Sequence, residues 1–173
     1  MADIISDSQS AFVGGRQLVD SVLILNEVVD EVKRRKHESF IFKADFEKAY
    51  DCVDWDFLDW MMDRMGFGVK WRKWIQECLS TTRISILING SPTTEFTASK
   101  GLRQGDPLSL FLFLLIGEGL CGLVKKVESE GLFRGVDIGT SGMSLSLLQF
   151  ADDSVFMGKA CAENVRVVKA ILH

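Results

Sequence analysis

Apolar residues recur at three- and four-residue spacing between Gln17 and Lys36. Leu18, Val22, Leu25, Val28, Val29 and Val32 share one face, which predicts an amphipathic helix. Asp30 with Arg34 and Glu31 with Arg35 stand one turn apart on it. The run Lys33-Arg34-Arg35-Lys36 falls where a helix C-terminus favours cations, and reads as a solvated helix end. Phe40 to Asp45 is a short apolar run ending on an acid, and predicts a strand. Asp54 has the place of an N-cap for a helix reaching Met65, with Gly66 as its stop. Trp71, Trp74, Ile75, Cys78 and Leu79 mark another helix. Two strand-like runs, Arg83 to Ile88 and Thr93 to Ala98, flank Asn89-Gly90-Ser91-Pro92 as in a hairpin.

Asp106-Pro107 opens a helix that runs to about Glu130, with Gly131 as the stop. Its stretch Leu108 to Val124 is the most apolar of the chain. Glu118 and the glycines 117, 119 and 122 interrupt it, so it falls short of the ~20 clean apolar residues of a membrane span and reads as a buried helix. Leu132 to Ile138 predicts a strand, Gly139 to Gly142 a loop, and Met143 to Gly158 a hairpin with acids at its turn. Ala162 to Leu172 is helical again. This mixture of strands and helices places the chain in the α+β class.

With 173 residues, 47% of them apolar, the chain can bury a core of its own and is not disordered. A net charge of −4 argues against a simple basic clamp for nucleic acid. Cys52, Cys78, Cys121 and Cys161 form no Cys-x-x-Cys pair, which indicates neither a disulfide framework nor a zinc knuckle. A reduced intracellular setting is expected. His37 and His173 alone leave little for a Ser-His-Asp triad. No secretory signal opens the chain, and no membrane partner is expected. The chain reads as an excerpt of a longer protein.

Chemistry concentrates in Gln149-Phe150-Ala151-Asp152-Asp153. Adjacent carboxylates repel unless a cation joins them, so the pair points to a divalent metal and phosphate chemistry. An ordinary acidic turn is the plain alternative. Two further segments stand out: Ala44-Asp45-Phe46-Glu47-Lys48-Ala49-Tyr50-Asp51, and Gly101-Leu102-Arg103-Gln104-Gly105-Asp106-Pro107-Leu108-Ser109. The first puts an acid at a strand end and an aromatic five residues later. The second is a glycine-flanked loop entering a helix N-terminus, where amides favour phosphate.

In order and spacing, these segments resemble the palm motifs of reverse transcriptases. They look most like those of LINE-type (non-LTR) retrotransposons abundant in plants. Ser8-Gln9-Ser10-Ala11-Phe12-Val13-Gly14-Gly15-Arg16 resembles the stretch such enzymes carry before the first acid. The resemblance covers nearly the whole chain. It implies a palm with a split β-α-β, ferredoxin-like core, helices on one sheet face and the acids at the other. Residues 39–65 and 101–173 would be palm, and residues 1–38 and about 66–100 partial fingers. Thumb and endonuclease would lie outside the chain. The implied activity is RNA-directed DNA synthesis on an RNA template, with a DNA primer whose 3′-hydroxyl attacks the α-phosphate of a deoxynucleotide. Asp45, Asp152 and Asp153 would be the catalytic, metal-binding acids for two Mg²⁺ ions, or Mn²⁺ in their place. Asp153 would be the less direct participant, and the carbonyl of Phe46 a further ligand. Tyr50 matches the aromatic gate under the sugar, with core packing as its other reading. Gln104 and Gly105 match the motif that touches nucleotide and template. Arg103 would meet phosphate or lie on the surface. A ribonucleoprotein in nucleus or cytoplasm is the implied setting.

Leu110 stands where relatives often carry Pro, and Leu147 where many carry His. Such drift fits an element copy, and an inactive remnant serving as an interaction module is the alternative function. A lesser alternative is a dinucleotide fold. Gly117-Glu118-Gly119-Leu120-Cys121-Gly122 is a Gly-x-Gly-x-x-Gly, with Leu110 to Ile116 as a would-be strand and Asp137 downstream.

Overall fold

The computed structural model describes residues 4–36, 38–139 and 143–172, the side chain of Leu18 excepted. Most of the expected Gly139–Gly142 loop lies outside the described residues. Chain order is α1 (Leu18–Arg35), β1 (Ser39–Asp45), α2 (Trp55–Arg64), α3 (Val69–Ser80), β2 (Arg83–Ile84), β3 (Leu87–Ile88), β4 (Ser91–Pro92), β5 (Phe96–Thr97), α4 (Pro107–Ser129), β6 (Val136–Ile138), β7 (Met143–Leu145), β8 (Leu147–Phe150), β9 (Asp153–Lys159) and α5 (Ala162–Ile171). Two compact units result, Met1–Glu47 with Gly117–His173, and Lys48–Ile116.

The first unit is built on an antiparallel sheet in the order β1-β9-β8. β1 pairs with β9 from Ser39 opposite Lys159 to Asp45 opposite Asp153. β8 takes the other edge, with Leu147 opposite Phe156 and Phe150 opposite Asp153. Strand alternation then sorts the side chains. Ala44, Leu147 and Phe156 pack with Cys121 and Val124 of α4, with Phe133, and with Val168 of α5. Leu148, Val155 and Met157 pack with Leu25, Val28 and Val32 of α1. Helices therefore cover both sheet faces, where the sequence suggested one. Leu147-Leu148 and Val155-Phe156-Met157 are apolar on both sides of the pleat, so both sides need a cover.

The expected strand 132–138 is shorter, and the expected hairpin 143–158 is divided. β6 and β7 pair with each other, Val136 opposite Leu145. Leu132 and Phe133 instead close α4, their amides donating to the Val127 carbonyl at 2.9 and 3.1 Å. The N-terminal stretch flanks β8. Gln9 and Gln149 form a parallel bridge, in which Gln149 N donates to Ser8 O at 2.7 Å and Ser10 N to Gln149 O at 3.1 Å.

In the second unit, Asp54 caps α2, its Oδ1 accepting from Phe57 N at 2.8 Å. Arg72 of α3 reaches back to Asp59 and Asp63 of α2. The hairpin forms as two short ladders, β2 with β5 and β3 with β4, around Asn89 and Gly90, both at positive φ. Asp106 caps α4 through Leu108 N at 2.9 Å.

α4 is one helix from Pro107 to Ser129, so no strand precedes Gly117-x-Gly119-x-x-Gly122. A dinucleotide fold needs those glycines in a strand-to-helix turn, and that alternative is ruled out. By length and composition α4 is apolar enough to cross a bilayer, contrary to the shorter reading from sequence. In this fold Leu112, Leu114, Leu115, Cys121 and Val124 are buried, and α4 serves as a core helix.

Candidate active site

Two of the three expected acids are direct partners. Asp45 ends β1, Asp153 begins β9, and the register sets them opposite each other. Partner side chains of an antiparallel pair share a face, with Cβ atoms about 4.5–5.5 Å apart. Asp152 belongs to the tight turn Ala151–Asp152 between the paired residues Phe150 and Asp153. Ala151 takes φ +54, the left-handed backbone at the first turn position.

A cation stands among them. Lys43 lies two residues before Asp45 on the same face, and its Nζ is 2.8 Å from Asp153 Oδ1. The hydrogen bond that Lys43 donates to Asp153, with the charges of Asp153, Asp45 and Asp152 behind it, holds the Lys43 ammonium above its ordinary pKa. No sequence motif marks Lys43, whose only local signal is the two-residue alternation with Asp45 along a strand.

The second unit holds the other expected residues except Phe46. The Tyr50 ring stacks on Phe113, centroids 4.3 Å apart and planes 17° apart. The segment carrying Tyr50 is tied to the glycine-flanked loop by three hydrogen bonds. Leu102 N donates to Tyr50 O at 2.8 Å, Gly101 N to Val53 O at 2.7 Å, and Trp55 Nε1 to Gly101 O at 2.8 Å. Gly101 has φ +90, and a Cβ there would stand 2.8 Å from Asp51 O, so the position admits only glycine. Gly105 has φ +87, and no atom lies within 4 Å of where its Cβ would be. Its surface is open to close approach. Arg103 and Gln104 line a cleft of about 610 Å³ with Trp55, Arg83 and Lys100. Of those cations, Arg103 alone stands in a sequence motif. Arg83 and Lys100 carry no local motif and join it only through the fold. Phe46 follows Asp45 in the first unit and is exposed.

Among the described residues no group of three or more His, Cys, Asp or Glu side chains closes around a metal position. The set of aspartates therefore does not form a complete protein cage. It fits a hard, open site, since Mg²⁺ is commonly held by one or two carboxylates with substrate oxygens and water completing its shell. The Lys43 ammonium, paired with Asp153, already places a positive charge beside these aspartates.

The family model for reverse transcriptase (RNA-dependent DNA polymerase) matches residues 1–173. The chain belongs to the reverse transcriptase family. Its relatives are of the non-LTR retrotransposon kind. It is 28% identical over 160 residues to the 149 kDa protein of transposon TX1 from Xenopus laevis, covering 92% of this chain and 12% of that protein. It is 30% identical over 142 residues to a retrovirus-related Pol polyprotein of the type-1 retrotransposable element R2 from Popillia japonica, covering 81% and 19%. An uncharacterised mitochondrial protein of Arabidopsis thaliana is 43% identical over 68 residues, 39% of this chain and 56% of that protein. The reverse transcriptase fold is also that of solved telomerases. Apo telomerase of Candida tropicalis matches with TM-score 0.64 at 16% identity, over 95% of this chain and 32% of that one. Telomerase of Candida albicans, solved with a fragment of telomeric RNA, matches with TM-score 0.66 at 10% identity, over 95% and 29%.

Proposed function

We propose that this reverse transcriptase domain carries out RNA-directed DNA synthesis, adding deoxynucleotides to a primer 3′-hydroxyl on an RNA template. The observation that carries the reading is the pairing of Asp45 with Asp153 across β1 and β9, with Asp152 on the adjoining turn. Strands far apart in sequence deliver carboxylates to one edge, as phosphoryl transfer through divalent ions requires. Residues 39–65 and 101–173 act as palm, in a split β-α-β arrangement, and residues 1–38 and about 66–100 as part of the fingers.

Asp45 and Asp152 are the residues that would hold two Mg²⁺ ions, with Mn²⁺ as a substitute and Asp153 beside them. Bound there, the ions supply charge neutralisation for the attacking and leaving oxygens. Lys43 fixes the direction of the Asp153 carboxylate through its 2.8 Å ion pair. Tyr50, braced flat on Phe113, offers a rigid ring to bound the sugar. The open backbone at Gly105, with Gln104 and Arg103, offers contacts for the nucleotide and template.

Primer extension by a polypeptide containing this chain tests the proposal, with an RNA template, a DNA primer, deoxynucleotides and Mg²⁺. Asp152→Asn should abolish extension while circular dichroism and melting stay native-like. Near-normal extension by that variant would refute the assignment.

A further inference from the structure

The turn that carries Asp152 is held from outside its own hairpin. Ala151 has φ +54, which primed two-residue turns normally give to glycine, asparagine or aspartate, because a Cβ makes it unfavourable. One side chain meets both backbone groups of Ala151. Gln9 Oε1 accepts from Ala151 N at 3.1 Å, and Gln9 Nε2 donates to Ala151 O at 3.4 Å. The same Oε1 accepts from Ala11 N at 2.9 Å. Gln9 is 1% exposed, so water does not compete for these bonds.

Gln9 is itself held firmly. Its neighbours Ser8 and Ser10 bracket Gln149 in the parallel bridge, and Ser10 Oγ adds a bond to Gln149 O at 3.2 Å. The guanidinium of Arg16 donates to Ser6 O at 2.5 Å and to Gln9 O at 2.6 Å. A connected line of hydrogen bonds thus runs from Arg16 through Gln9 to Ala151, one residue before Asp152. A residue that only filled space would use neither end of an amide, and burying an unpaired amide is costly. Glutamine supplies one acceptor and one donor to the two backbone groups of one turn residue.

We propose that Gln9 is a positioning residue whose side-chain amide locks Ala151 in the left-handed conformation and thereby sets where the Asp152 carboxylate stands. The consequence for function rests on reading Asp152 as a metal-binding acid. Gln9 touches no reacting atom, and its action passes entirely through the turn.

Two readouts test it on the chain. Amide hydrogen exchange at Ala151 reports the lock without reference to catalysis. Gln9→Met should speed it about tenfold or more, the scale of one lost hydrogen bond, while the Met157 amide keeps its protection. Mn²⁺ affinity, read by electron paramagnetic resonance, reports the carboxylate. Gln9→Met should weaken it about tenfold, as losses in supporting shells do. Adding Ala151→Gly removes the left-handed penalty and should restore most of that affinity. Unchanged exchange at Ala151 overturns the proposal, as does an equal loss of Mn²⁺ affinity with and without Ala151→Gly. Should Gln9→Met fail to fold, Gln9→Asn keeps the amide but withdraws it by one methylene, and is read the same way. Faster exchange with no Mn²⁺ binding by the unaltered chain would support the lock and refute the metal reading of Asp152.

Discussion

Asp45 and Asp153 face each other as direct partners at the ends of β1 and β9. Like charges so placed destabilise a ladder. Lys43 offsets the repulsion by closing on Asp153 at 2.8 Å from the same face. The sheet therefore carries its acids with one cation built in.

That arrangement predicts a metal-dependent effect of Lys43→Met. Removing the ammonium leaves the carboxylates without their protein cation, so Mn²⁺ or Mg²⁺ should bind about threefold tighter or more. Titration calorimetry at low salt measures this, and the gain should shrink as ionic strength rises. Equal affinities in the two proteins would place Lys43 outside the field of the metal.

Tyr50 gives a prediction on sugar choice. Its ring stacks flat on Phe113. If the ring bounds the sugar, Tyr50→Val should raise ribonucleotide incorporation relative to deoxynucleotide in primer extension. An unchanged ratio, together with a lowered melting temperature, would assign the ring to packing alone.

The link between α2 and α3 makes stability depend on acid. A hydrogen bond from Arg72, at 2.8 Å to Asp59 Oδ1, and then its charge hold the Asp59 carboxyl below the ordinary range. A depressed folded pKa contributes stability that is complete above the unfolded value of about 3.9. That contribution is lost as pH falls through the folded value. Arg72→Met should therefore lower stability at neutral pH, and should flatten its decline below about pH 4. Parallel acid melts of the two proteins would refute the assignment.

Asn164 joins α5 to the chain ahead of β6. Its Oδ1 accepts from Arg134 N at 3.0 Å, and its Nδ2 donates to Arg134 O at 2.8 Å and Lys159 O at 2.9 Å. The side chain is buried, 1% exposed. Asn164→Ala would strand the Arg134 amide, while Arg134 O keeps Lys159 N and Lys159 O keeps Cys161 N, and should cost about 2 kcal/mol, measured by urea unfolding. A loss below about 0.5 kcal/mol would mean that water replaces the amide.

Much of this fold was legible because its signals are local. Helical periodicity and caps at Asp54 and Asp106 depend on neighbours within one turn, and both caps are formed. The Asn89-Gly90 turn is likewise a local conformational demand. Local signals mislead where a segment's partner is remote. Met143–Leu145 looks like the start of the acidic hairpin, yet it pairs with β6. The glycines of α4 imitate a phosphate loop, but helix burial overrides their weak propensity.

The sequence by itself determined the kinds of chemistry available: three aspartates at predicted strand ends, a glycine-flanked loop and an aromatic in motif order. Those follow from residue type and short spacing, which the chain carries wherever it folds. Only the tertiary structure decided that Asp153 is the partner of Asp45, that Lys43 closes on it, and that Gln9 holds the turn before Asp152. Strand register and the docking of residues 8–10 beside β8 set those contacts. Both arise from burying the two apolar faces of one sheet, a requirement that no local window of sequence contains.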